Sequence, residues 1–181
     1  TKKQLGFMCE SWVNDLYTVY TNLIVFDKNG KVIAVSNRDN EYLVGRILTQ
    51  DWVEKTLNLK DTSKYCVSRF EKSNLYNNES TYIYCSAIRS LKDERIITGG
   101  IAVVFDSTPQ FHSMLTESLP ISSIEDKSKG IFALFTNKDK QIISSTNEDF
   151  EVDSYLNIED SFFTLKNAQS LSKIIELDGK Y

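Results

Sequence analysis

The residues able to do chemistry are few and scattered. His112 is the only histidine. It stands beside Phe111 in a run with helical spacing, and no acid or nucleophile motif accompanies it, so histidine-based acid–base catalysis has no assembled partners. The adjacent carboxylates Glu148-Asp149 and Glu159-Asp160 read as solvated or capping positions. Cys9, Cys66 and Cys85 lack metal-ligand spacing, and Gly99-Gly100 is too short to cradle a phosphate. Aromatic and carboxylate side chains on strand-like runs remain. Alternation along Thr81 to Ile88 puts Tyr82, Tyr84, Ser86 and Ile88 on one face and Ile83, Cys85 and Ala87 on the other. On the run ending at Phe105, Asp106 shares its face with Ala102 and Val104, whose small side chains leave room in front of a sheet. Aromatic faces around one carboxylate suit an amine or a quaternary ammonium, each contact being worth about 0.5–2 kcal/mol. The same residues have plainer uses: strand tyrosines pack cores with hydroxyls at the rim, and Asp106 before Ser107-Thr108-Pro109 can cap a helix. Binding is indicated over catalysis, and no cofactor is expected.

Those side chains must be positioned by elements that show a repeat. The first copy is Leu23-Ile24-Val25-Phe26, the turn Asp27-Lys28-Asn29-Gly30-Lys31, then Val32-Ile33-Ala34-Val35-Ser36-Asn37. The second is Ile131-Phe132-Ala133-Leu134-Phe135, the turn Thr136-Asn137-Lys138-Asp139-Lys140, then Gln141-Ile142-Ile143-Ser144-Ser145-Thr146. Laying Phe26 on Phe135 and Gly30 on Asp139 gives an ungapped offset of 109 (135 − 26). Two related hairpins imply two related modules.

Around the first hairpin, Leu5, Met8, Trp12, Leu16, Val19 and Tyr20 fall at spacings of three and four, predicting an amphipathic helix over Lys2 to Tyr20. Gly45 to Leu59 predicts a short helix behind the cap Thr49. Strands are expected over Tyr65 to Phe70, Thr81 to Ile88 after a turn at Asn77-Asn78, and Ile96 to Phe105, and a helix over Thr108 to Leu119. The order of helix, two strands, helix and three antiparallel strands predicts an α+β fold: a PAS-like antiparallel five-stranded sheet with helices on one face. The expected organisation is an N-terminal helix at 1–21, a first module at 22–120, a linker at 121–129 and a second, smaller module at 130–181, read as incomplete.

Composition narrows the partners. The chain has 181 residues, 41% hydrophobic, with a net charge of −4. Lys and Arg are scattered singly, so no basic stripe exists to neutralise a phosphate backbone, and nucleic acid is excluded as an expected partner. No apolar run reaches the ~20 residues that cross a bilayer. The chain starts without methionine and is read as a piece of a longer protein. Cys66 and Cys85 could sit on neighbouring strands. Their spacing leaves thiol and disulfide open, with buried free thiols as the expectation.

The element order, together with Gly45-Arg46 leading into the Trp52 helix, the segment Leu75-Tyr76 to Ile88, and Gly99-Gly100-Ile101-Ala102-Val103-Val104-Phe105-Asp106, resembles the tandem Cache sensory domains of bacterial chemoreceptors and sensor enzymes. The resemblance covers essentially the whole chain. It implies a ligand in the first, membrane-distal module, with Trp52 on the covering helix, Tyr65, Tyr82 and Tyr84 on strands and Asp106 at the end of the last strand in or near the pocket. It also implies a membrane-anchored parent receptor that holds this domain outside the cytoplasm and passes a ligand-dependent shift to an output elsewhere. The N-terminal helix would be the conduit, through a homodimer of parallel helices. Amino-acid-binding members carry an arginine two positions before the helix tryptophan. Here that position is Gln50, which cannot supply a charged bidentate fork. Arg46, one turn earlier, is the candidate substitute, but the departure counts against an α-amino acid ligand and leaves amines, small carboxylates or a purely structural module open. The rival reading is a cytoplasmic GAF- or PAS-like interaction module without a small ligand, favoured by cysteines with no evident pairing.

Overall fold

Runs rich in β-branched and aromatic residues form the central strands, and side-chain chemistry fixes the turn between the first two. In the computed structural model of the protein, which describes residues 2–12, 18–120 and 130–160, Tyr20–Asp27 (β1) pairs antiparallel with Val32–Val35 (β2). The Asp27 carboxylate accepts from the Asn29 and Lys31 N–H groups at 2.8 and 3.0 Å, closing the turn. Gly30 sits at φ +74°, where a Cβ would lie 3.0 Å from the Leu48 carbonyl oxygen, so the turn needs glycine for conformation and for space.

The remaining elements of the first compact unit, Thr1–Ser107, are helices Lys2–Ser11 (α1) and Asp51–Leu57 (α2) and strands Cys66–Val67 (β3), Glu71–Ser73 (β4), Glu79–Thr81 (β5), Ile83–Arg89 (β6) and Ile97–Phe105 (β7). A short 3-10 helix, Arg38–Leu43, follows β2. Five strands form one antiparallel sheet in the order β2-β1-β7-β6-β3, as expected of a PAS-like fold, while β4 and β5 form a separate hairpin. The Asn77-Asn78 turn closes that hairpin, with both residues at positive φ (51° and 60°).

Both faces of the sheet are covered, not one. Ile24, Phe26, Ile83, Cys85, Ala102 and Val104 point toward α2, where they bury Trp52 and Val53 together with Leu75 and Tyr76. Leu23, Val25 and Ala34 point the other way and meet Cys9 and Leu5 of α1. Central strand β1 is therefore apolar on successive residues, as a strand covered on both sides must be. The N-terminal helix expected to reach Tyr20 does not do so: Tyr20 opens β1 opposite Phe105, where the ladder to β7 captures it, and residues 13–17 lie outside the described residues. The described helix covers Lys2–Ser11. Its sheet-facing residues are Leu5 and Cys9, whereas Met8 and Trp12 are exposed. At α2 the N-cap is Gln50, without a side-chain cap bond, rather than Thr49.

The second compact unit, Thr108–Tyr181, contains strands Leu134–Thr136 (β8) and Ile142–Ser145 (β9). Helix Ser107–Ser118 (α3) begins at the boundary. The β8–β9 hairpin repeats the first in detail, but at an offset of 110 (136 − 26), one residue more than the sequence alignment gave. Phe26 pairs with Val32 and Thr136 with Ile142, each just past a register shift. Asn137 Oδ1 accepts from the Asp139 and Gln141 N–H groups as Asp27 does in its turn, and Lys140, at φ 66°, takes the place of Gly30. Beyond the hairpin the repeat continues with two residues fewer: Leu48 N–H bonds to Gly30 O, and Leu156 N–H to Lys140 O. The expected linker at 121–129 and the part of the expected second module from 161 to 181 lie outside the described residues.

Candidate ligand cleft

Helix α2 presents its N-terminal end and Trp52 to a cleft whose other walls are the β4–β5 hairpin and β6. Trp52 is 2% exposed and meets the Phe26 ring edge-on at 6.1 Å between centroids. The cleft, about 80 Å³, is lined by Gln50, Trp52, Ser68, Lys72, Thr81 and Ile83, with Glu71, Ser73 and Asn74 at its hairpin side. It combines one aromatic side, a carboxylate, an ammonium and several neutral hydrogen-bonding groups. Between the lining residues Gln50 and Trp52, the Asp51 carboxylate accepts from the Lys55 ammonium at 2.7 Å. That bond, with the charge of Arg69 as a weaker contributor, holds the Asp51 carboxyl below its ordinary range.

Asp106 stands beside this cleft. Thr81, one of its lining residues, donates to the Phe105 carbonyl at 2.6 Å and shares a hydrogen bond with Ser107 at 2.8 Å, tying both neighbours of Asp106 to the cleft wall. The Tyr76 hydroxyl donates to Asp106 Oδ1 at 2.7 Å. Tyr76→Phe deletes the donor and leaves a half-buried carboxylate one partner short. A loss of about 1.5 kcal/mol is expected, read from the urea midpoint at unchanged m value.

The tyrosines expected to share a pocket with Asp106 lie on the opposite face. Register explains the correction: Tyr84 pairs with Val103 and Ile83 with Val104, so Tyr82 and Tyr84 project away from Ala102, Val104 and Trp52. Tyr65 and Tyr84 instead line an apolar groove of about 360 Å³ with Trp12, Tyr20, Leu23 and Val103. Tyr82 packs beside it, its ring 6.4 Å from that of Tyr84 and 5.1 Å from that of Phe70. Burial pushes the Tyr84 hydroxyl above its ordinary range, with lesser contributions from Tyr20 and Tyr65. Arg46 lines neither space. It is exposed, with its guanidinium carbon 5.4 Å from the centre of the Tyr42 ring.

Six cleft residues escaped the sequence reading: Ser68, Glu71, Lys72, Ser73, Asn74 and Thr81. The Asn77-Asn78 turn was the available signal for the hairpin that carries most of them. Among the described residues no group of three His, Cys, Asp or Glu side chains could hold a metal ion, and no helix is long and apolar enough to cross a membrane.

No known family model matches the chain, and no curated protein does. Solved structures do. The sensor domain of the V. cholerae histidine kinase DctB superposes with a TM-score of 0.59 at 16% identity, over 88% of this chain and 54% of that one. The ligand-binding domain of the Campylobacter jejuni chemoreceptor Tlp3, in complex with L-norvaline, gives 0.56 at 18% identity, over 81% and 51%. An extracellular ligand binding receptor from Desulfohalobium retbaense gives 0.56 at 14% identity, over 85% and 27%. The chain thus spans about half the length of the first two and about a quarter of the third. These neighbours are sensor domains rather than catalytic ones. Sheet order, the two-sided cover and this likeness together establish that the chain has the PAS-like fold of Cache-type sensory domains.

Proposed function

We propose that the chain is the ligand-sensing part of a bacterial signal-transduction receptor, without catalytic activity, that it lies outside the cytoplasm in a membrane-anchored parent, and that it binds a small molecule in the Trp52 cleft. The observation that carries the proposal is the convergence of Trp52, Gln50, Glu71 and Lys72 on one space between α2 and a hairpin that stands apart from the main sheet. A positive and a negative side chain beside an aromatic face suit a small zwitterion or carboxylate. Lys72 is placed to meet a carboxylate in the role for which Gln50 is unsuited. The hairpin is the wall that moves to admit a ligand larger than the present cleft, and its movement is the signal passed to an output domain. One neighbour with this fold, Tlp3, was crystallised with L-norvaline. A second reading puts the ligand in the Tyr65–Tyr84 groove, which is favoured by its larger volume of about 360 Å³.

The test is a thermal-shift panel of the L-amino acids, C4 dicarboxylates and primary amines against the wild type, Lys72→Ala and Tyr65→Ala. Both positions are exposed, so neither substitution opens the core. A compound at about 100 times its Kd adds about 2.7 kcal/mol to native stability. The expected result is a compound that raises the melting temperature of the wild type and of Tyr65→Ala but not of Lys72→Ala. The reverse pattern supports the second reading. A panel without any shift removes both.

A further inference from the structure

Cys66 and Cys85 are directly opposed partners on β3 and β6. Opposed residues of an antiparallel pair have Cα atoms about 4.5–5.5 Å apart, inside the ~4.4–6.8 Å span of a disulfide. Both side chains project to the α2 face: Cys85 is 2% exposed in the main core, and Cys66 packs against that core while remaining half-buried. Burial raises the Cys85 thiol well above its ordinary range, with Cys66 beside it as the next contributor. Thr56 completes the arrangement, its hydroxyl 2.7 Å from the Trp52 carbonyl oxygen and 3.1 Å from Cys66 Sγ. Because Thr56 donates to that carbonyl, its oxygen is left to accept from the Cys66 S–H. Loss of the thiol hydrogen would leave the Thr56–Trp52 bond intact. Cys9 lies on the opposite face of the sheet among Leu23, Val25 and Ala34, out of reach of both.

We propose that Cys66 and Cys85 are a disulfide site: in the presence of a small disulfide or a thiol oxidase that works by disulfide exchange, they join β3 to β6 and staple the segment that carries the ligand-cleft hairpin. The half-buried Cys66 reacts first. Its thiolate attacks one sulfur of the oxidant R–S–S–R, forming Cys66–S–S–R and releasing RS⁻. The Cys85 thiolate then attacks the Cys66 sulfur and expels the second RS⁻. Two protein thiols lose two electrons and two protons, and the oxidant becomes two RSH. The buried Cys85 must deprotonate for the second step, so closure accelerates as pH rises. The bond closes a loop of about 20 residues that contains β4 and β5. This proposal is independent of whether the cleft binds a ligand.

The test uses the full chain, native, incubated with oxidised glutathione in mildly alkaline buffer, beside Cys66→Ser and Cys9→Ser. Two of the three thiols of the wild type, and both thiols of Cys9→Ser, should become unreactive. The intact mass should fall by two hydrogen atoms, and a peptide map should show Cys66 joined to Cys85. The oxidised wild type should melt roughly 10 °C above the reduced form. Cys66→Ser should keep both remaining thiols. Persistence of three thiols, arrest at the glutathione adduct of Cys66, a joined peptide containing Cys9, or an unchanged melting temperature would each overturn the proposal.

Discussion

Replacing Trp52 with alanine is expected to cost about 3–5 kcal/mol, a large share of the stability of a domain this size. Trp52 is 2% exposed and is the largest fully buried side chain among the described residues. It fills the space between α2 and the sheet, edge-on to Phe26, and its removal leaves a cavity that the short helix cannot collapse to fill. Urea unfolding followed by far-UV circular dichroism measures the loss. Trp52→Phe keeps an aromatic plane and should cost less than half as much. If Trp52→Ala cost below about 1 kcal/mol, the described packing of α2 would be wrong.

Gly99→Ala should cost about 3 kcal/mol or prevent folding altogether. Gly99 pairs with Asp27 where β1 and β7 run side by side, and a Cβ on it would lie 2.1 Å from the Phe26 carbonyl oxygen and 3.1 Å from the Asp27 Cα. Both obstacles are backbone, so no rotamer change relieves them. One strand has to shift, and the paired residues Phe26 and Gly100 shift with it. The same urea measurement reads this effect. Alanine accepted at wild-type stability would contradict the β1–β7 register.

The element order was legible in the sequence because each core strand is a run of β-branched and aromatic residues bounded by turn chemistry, and because the hairpin occurs twice. The repeat was placed one residue out. Gly30 advertises a positive φ, whereas its structural counterpart Lys140 adopts φ 66° with no glycine to mark it. The residues that do mark the register are Asp27 and Asn137, which close their turns with identical bonds. The candidate site was half legible. Of the residues expected at the site, Trp52 lines the proposed cleft and Asp106 is bonded by Tyr76 of the same core, and alternation grouped Tyr82 with Tyr84. Which of the two β6 faces belongs with Asp106 depends on β6–β7 register, and that information lies in neither strand alone. The hairpin wall was missed because Glu71-Lys72-Ser73 has no apolar alternation to announce a strand.

The central claim, that a small ligand occupies the cleft beside Trp52, has a built-in reporter. The chain contains two tryptophans: Trp52 on one face of the sheet, and Trp12, 52% exposed, at the groove on the other. A fluorescence titration of Trp12→Phe with the compounds that shift the melting temperature leaves Trp52 as the sole tryptophan. The account predicts a saturable change in its emission, with a midpoint equal to the Kd from calorimetry. Calorimetric binding with unchanged Trp52 emission, together with a response from Trp12 in the wild type, would contradict it and move the ligand to the Tyr65–Tyr84 groove.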